Sequence, residues 1–301
     1  MITLIFGAGA SYGSGRCIPS NPPLGIHLYS ELVKLGGAFS NLNGEAKKGF
    51  ESEGFEAGMA AVPNNSTIIN PLQKELACYL SSFNITQDNA YVRLFNRLRR
   101  HMDTINIVTL NYDLLIEQAI CSAGLSVDYN GVNQGVNVLK PHGSSNFLPQ
   151  IPQGINIGGL TAIDCGTFVE GFPTNAATSH AEIKAWCNDP KNQSISPALS
   201  LYSKDKRVVV NSELVKQIQK RYVELVSNSK LLVLVGIKYI PHDEHIWSSL
   251  EQSESPIIVV DPYPEDTIKW AASRDKKNIS VIQRGFNEAV WDTTKAIRAY
   301  L

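Results

Sequence analysis

No apolar stretch in this sequence approaches the ~20 residues needed to span a bilayer. The run Ile2–Phe6 is too short for a secretory leader and has no basic segment before it, although Ala8-Gly9-Ala10 mimics a small-residue cleavage site. Neither a membrane helix nor a leader is expected, and the expected location is the cytoplasm. Charge of one sign is lacking too. A net charge of −1 gives no footprint for nucleic acid. The one basic cluster (Arg97, Arg99, Arg100, His101) ends an amphipathic stretch, where cations suit the negative end of a helix dipole. The five cysteines (Cys17, Cys78, Cys121, Cys165, Cys187) form no C-x-x-C pair and no even framework. That argues against a zinc ribbon and suits a reducing compartment.

What is present is an ordinary globular composition, 43% apolar and 18% charged over 301 residues, enough for one large α/β domain or two small ones. Short apolar runs recur, each followed by a helical pattern. Ile2–Phe6 leads to glycines and then a helix near Pro22-Pro23-Leu24. The run 105–110 leads to a helix over 112–123, and Leu231–Val235 to one over 243–250. The run 256–260 precedes a helix over 265–272, and Ile279–Ile282 one over 287–300. Runs of β-branched residues without alternation indicate parallel strands buried on both faces. Leu214, Ile218, Tyr222, Leu225 and Val226 recur at helical spacing after Ser212, a candidate N-cap.

This rhythm predicts a doubly wound, Rossmann-like α/β fold with a parallel sheet. Residues 36–102, mostly helical in pattern, and 149–206, rich in Gly, Pro, Asn and Ser, break it. Both read as insertions forming a smaller subdomain over a core of about 1–35, 103–148 and 207–301, the whole being one domain of 1–301.

Three places could carry chemistry. Gly7-Ala-Gly-Ala-Ser11 follows a strand, an arrangement that sets backbone N–H groups against a phosphate. A dehydrogenase fingerprint needs a small third residue where Tyr12 stands, so hydride transfer is disfavoured. A tight turn accounts for the glycines equally well. Thr109-Leu-Asn-Tyr-Asp113 ends a strand where ligands bind in such folds, yet Asn111 or Asp113 could simply cap the next helix. His142, between Pro141 and Gly143, is either a general base or a turn histidine.

Other candidates are weaker. His242 and His245 are three apart where a metalloprotease helix needs four, and Asp243 reads as a helix cap with both histidines near the surface. No Gly-x-Ser-x-Gly elbow surrounds Ser11, Ser144 or Ser145. Trp247, Trp270 and Trp291 read as core or interface residues.

In order, Gly-Ala-Gly-Ala-Ser, Thr-x-Asn-x-Asp and Pro-His-Gly resemble the blocks of the sirtuin (silent information regulator) family. Later stretches extend the resemblance across nearly the whole chain: Pro22-Pro23-Leu24-Gly25, Val233-Leu-Val-Gly-Ile-Lys-Tyr239 with Asp243, and Ile258-Val-Val-Asp-Pro262. The resemblance implies NAD as substrate. Gly7, Ala8, Gly9 and Ser11 would cradle the pyrophosphate and ribose, with Thr109 in the same block. Asn111 would orient the water or the nicotinamide ribose, and Asp113 the carboxamide. His142 would act as base, and Gly236 and Asp261 would serve the adenosine half.

The four-cysteine zinc module of protein-deacylating sirtuins has no counterpart here. The implied activity is therefore NAD+ hydrolysis to nicotinamide and ADP-ribose, without a metal. Bacterial relatives of this kind deplete NAD in abortive-infection defence against phage, which implies control by a sensor or regulatory subunit, by homo-oligomerisation, or by both. The alternatives are an NAD- or ADP-ribose-sensing subunit without catalysis, and a deacylase or ADP-ribosyltransferase.

Overall fold

In the computed structural model, residues 1–132, 134–164, 169–200, 210–241 and 243–301 are described. The chain begins with β1 (Ile2–Phe6), α1 (Ala8–Tyr12), β2 (Cys17–Ile18) and α2 (Gly25–Lys34). A helical stretch follows: α3 (Gly44–Glu53), α4 (Phe55–Ala61), α5 (Ser66–Ser81), the short β3 (Asn84–Ile85) and α6 (Ala90–Leu98). The middle contains β4 (Ile105–Thr109), α7 (Leu115–Ser122), β5 (Val127–Asp128), β6 (Val136–Leu139), the hairpin β7 (Phe147–Pro149) and β8 (Thr174–Ala176), and α8 (His180–Asn188). The last third alternates α9 (Ser212–Ser227), β9 (Leu231–Val235), α10 (Glu244–Gln252), β10 (Ile257–Val260), α11 (Glu265–Ser273), β11 (Ile279–Ile282) and α12 (Phe286–Arg298).

Seven strands form one parallel sheet in the order β11-β10-β9-β1-β4-β6-β5. The fold is thus the doubly wound α/β arrangement, with flanking helices and a smaller helical and loop-rich part. From β1 the chain adds β4 on one side, then β5 at the far edge and β6 between the two, and returns to add β9, β10 and β11 on the other side. The order reverses between β1 and β9, the place where doubly wound sheets bind ligands beyond their C-terminal strand ends.

β1, β4, β9 and β10 are buried along their whole length. Alternate residues feed two cores. Ile2, Leu4, Phe6, Ile105 and Ile107 pack on one face with α5, α6, α7 and α12. Ile5, Val108, Leu139, Leu232 and Leu234 pack on the other with Ile218 and Tyr222 of α9, Trp247 of α10 and Trp270 of α11. Within the first core, Tyr29, Phe39, Phe50 and Phe55 make an aromatic nest around α3 and α4, with Tyr29 and Phe50 stacked at 4.4 Å.

Two local expectations are corrected. β11 is not buried on both faces: it is the edge strand, and Ser280 and Val281 are exposed. Asn211, in the left-handed region at φ 54, occupies the N-cap of α9. Ser212 is the first helical residue, and its hydroxyl is taken by Glu170. Trp247 and Trp270 are core, whereas Trp291 is 58% exposed with Arg97 over its ring. Among the described residues no helix is long and apolar enough to cross a membrane.

Candidate functional site

The glycine turn sits at the sheet's reversal point and is held by backbone contacts. Gly7 N donates to Val235 O and Gly9 N to Gly236 O, both at 3.0 Å, joining the turn after β1 to the turn after β9. The approach is too close for side chains. A Cβ on Gly7 would stand 2.6 Å from Gly236 O, and one on Gly236, itself at φ +60, would stand 2.0 Å from Ala10 N. Gly7, Gly9 and Gly236 are therefore glycines because two turns touch. The outer side of the turn stays open, with Ala8 exposed and Gly9 half-buried.

The second block folds onto the first. Phe6 pairs with Thr109 in register, and Thr109 Oγ1 accepts from Asn111 N at 3.1 Å. Asn111 Nδ2 donates at 2.9 Å to both Gly7 O and Ser11 Oγ, and Ser11 Oγ meets Tyr91 OH at 3.1 Å. Asp113 Oδ1 accepts from Leu115 N at 3.1 Å, so this carboxylate does satisfy the first turn of α7. Burial pushes its carboxyl above the usual range. The Lys140 ammonium, a bond from Ser11 and the Leu115 amide pull the other way, and Glu117 adds to the rise.

Lys140, with no exposed surface, donates to Asp113 O at 2.7 Å and to Glu117 Oε1 at 2.8 Å. Tyr129 OH donates to the same Glu117 oxygen at 2.9 Å. This buried ion pair fixes the backbone between the Asn111 turn and the His142 turn. Neither Lys140 nor Glu117 shows a pairing signal in sequence, because a strand end and a helix meet only in the fold.

His142 lies on the turn after β6 at the same sheet edge, 3% exposed. Segment 196–200 covers this turn. Ser200 N donates to His142 O at 2.8 Å, Ser144 N to Ala198 O at 3.1 Å, and Tyr112 OH to Ser200 O at 2.8 Å. Gly143, at φ +76, permits the cover, since a Cβ there would stand 2.1 Å from Ala198 O. The His142 ring faces α10: Nε2 is 4.0 Å from Asp243 Oδ2, and the ring centroid is 5.1 Å from that of His245.

Asp243 departs from its expected role. It occupies the N-cap position of α10, but its side chain accepts no bond from that helix and is buried. His245 is half-buried rather than at the surface, and His242 lies outside the described residues.

The structure therefore brings Gly7, Gly9, Ser11, Thr109, Asn111, Asp113 and Gly236 into one contact set, with His142 on the neighbouring strand end. Asp261 stands apart. It follows β10, two strands from β1, and its Oδ1 accepts from Tyr263 N at 2.7 Å; burial raises its carboxyl. A cavity of about 710 Å³ lies elsewhere, between the β7–β8 hairpin and α9, lined by Tyr129, Phe147, Asn175, Ile218 and Arg221 among others. The four described cysteines are free, and Cys165 lies outside the described residues.

No family model and no curated protein matches the chain. Among solved structures it is similar to sirtuins. A sirtuin solved for the basis of its substrate affinity is 15% identical over 98% of this chain and 93% of that one, with a TM-score of 0.47. A mutant Sir2 homologue complexed with ADP-ribose is 15% identical over 99% and 92%, with a TM-score of 0.45. A Sir2 homologue complexed with NAD is 15% identical over 99% and 90%, with a TM-score of 0.43.

Proposed function

We propose that this chain is an NAD+ glycohydrolase, cleaving the bond between nicotinamide and ribose to leave ADP-ribose. The observation that carries the reading is the Asn111 amide bound to both Gly7 O and Ser11 Oγ. It joins two separated blocks at the point where a doubly wound sheet takes its ligand. Nicotinamide in NAD+ is a cationic pyridinium and departs without a general acid. The protein must mainly stabilise an oxocarbenium-like state and place a nucleophile.

In this reading Ala8 and Gly9 present the open side of the turn to the pyrophosphate, with Gly7 and Ser11 behind them. Asn111 and Asp113, with Thr109 beside them, meet the nicotinamide ribose and carboxamide. His142 takes the proton of the water or of a ribose hydroxyl. Gly236 and Asp261 serve the adenosine half.

His142 is buried, and segment 196–200 is bonded to its turn; in this reading the segment lifts to admit substrate. Such a closed state fits an effector held in check by a sensor subunit or by self-assembly, as in abortive-infection defence against phage.

The test is nicotinamide release from NAD+, for the protein alone and with its co-purifying partners, in the native chain, Asn111→Ala and His142→Ala. Trp291→Ala, on the exposed face of α12, serves as a control. Release that vanishes in the first two variants and persists in the control is the expected result. Binding of NAD or ADP-ribose without turnover in every assembled state would make the chain a sensor. Release that requires an acylated peptide would make it a deacylase.

A further inference from the structure

We infer that His142, Asp243 and His245 form a binding site for a divalent transition-metal ion of the zinc class. His142 comes from the turn after β6, more than a hundred residues before the other two, so the spacing of His242 and His245 in the sequence gives no hint of it. One ligand atom from each of the three side chains lies within 4.8 Å of the other two. A tetrahedral ion holding nitrogen and oxygen at about 2.0–2.2 Å separates its ligands by about 3.4 Å, so closure needs shifts of roughly an ångström.

The three side chains converge. The His142 and His245 rings are inclined at 47° with centroids 5.1 Å apart, and Asp243 Oδ2 lies 4.0 Å from His142 Nε2. Asp243 has also forgone the role its position offers. An aspartate at an N-cap ordinarily accepts from the first helical turn, whereas this one leaves that turn uncapped by its side chain and is buried towards His142. Its helix is anchored, since Ile246, Trp247 and Leu250 are all in the core.

Two imidazoles and one carboxylate suit Zn²⁺, Co²⁺, Fe²⁺ or Mn²⁺ and leave a coordination position for water. Magnesium and calcium prefer sites made wholly of oxygen. An ion on Nε2 and an imidazole free to accept a proton exclude one another, so occupancy would brake any chemistry His142 performs.

The site is tested by titrating chelator-stripped protein with Co²⁺ alone and recording its visible ligand-field absorption. Saturation at one equivalent, reversal by Zn²⁺ and the absence of a near-ultraviolet thiolate band are expected. Binding should weaken by about tenfold or more in His245→Ala and in Asp243→Asn, with metal-free melting showing whether each variant is folded. No binding by the native chain would overturn the inference. So would a thiolate band, which would put the ion on cysteine, or unchanged affinity in both folded variants. The native spectrum decides the matter even if a variant fails to fold. Because the titration contains no NAD, its failure would leave the glycohydrolase reading untouched, and the reverse also holds.

Discussion

Gly36 and Gly236 offer a matched pair for measuring how tightly the two turns of the site are locked. Both have left-handed backbones, at φ +73 and φ +60. A Cβ on Gly36 would meet nothing within 4 Å, whereas one on Gly236 would stand 2.0 Å from Ala10 N and 2.4 Å from Gly9 C. Alanine in the left-handed region costs about 1–2 kcal/mol at either position. At Gly236 the two turns must also part, and overpacking of this kind adds about 1–3 kcal/mol. Gly36→Ala is therefore expected to lose about 1–2 kcal/mol and Gly236→Ala about 2–5 kcal/mol, the difference measuring the contact alone. Urea unfolding followed by the fluorescence of the buried Trp247 and Trp270 reads both. Equal losses, within about 0.5 kcal/mol, would show that the turns separate freely and that touching backbones are not the reason for glycine at 7, 9 and 236.

Lys140→Met leaves Glu117 buried without its cation and should cost about 3–5 kcal/mol in the same assay. Adding Glu117→Gln should recover much of that loss, and a double variant as unstable as the sum of the singles would contradict the pairing. Asp113 has a folded-state pKa raised chiefly by burial, so the folded state holds its proton more tightly than the unfolded one. Its contribution to stability is thus present below the ordinary aspartate range and lost as pH rises through the raised folded value. Asp113→Asn should accordingly gain stability relative to the native chain as pH climbs through that window, and a constant difference across pH would refute it. Tyr112→Phe removes the bond to Ser200 O and should speed amide exchange in 196–200 by about 2- to 10-fold. Unchanged exchange would mean that this bond does not hold the cover.

Much of the scaffold was legible because its signals are local. Ile2–Phe6, Leu231–Val235 and Ile279–Ile282 are strands over the expected residues, since a short, mostly apolar run bounded by turns leaves few other options. The edge position of β11 was not legible. Its residues read as those of an interior strand, and only the sheet order leaves it with one neighbouring strand and with Ser280 and Val281, on opposite faces, exposed. The cap of α9 was misplaced by one residue because Asn211 and Ser212 are equally good caps by type, and the left-handed backbone at Asn211 decides between them. At the candidate site, the end of β4 could be placed at a ligand-binding edge, whereas the position of the turn after β6 on that same edge came only from the sheet order. Which side chains meet there could not.

Taken alone, the sequence determined the alternation of strand and helix, and with it the edge of the sheet where Gly7 and Asn111 stand. These follow from hydrophobic period and turn chemistry within a dozen neighbouring residues. Tertiary structure alone decided that Gly7 and Gly9 press on Gly236, that Lys140 buries its charge against Glu117, and that segment 196–200 covers His142. It alone turned Asp243 from a helix cap into a partner facing His142. Those contacts join residues tens to hundreds of positions apart. Their energies depend on distances that chain folding sets and that no local pattern encodes.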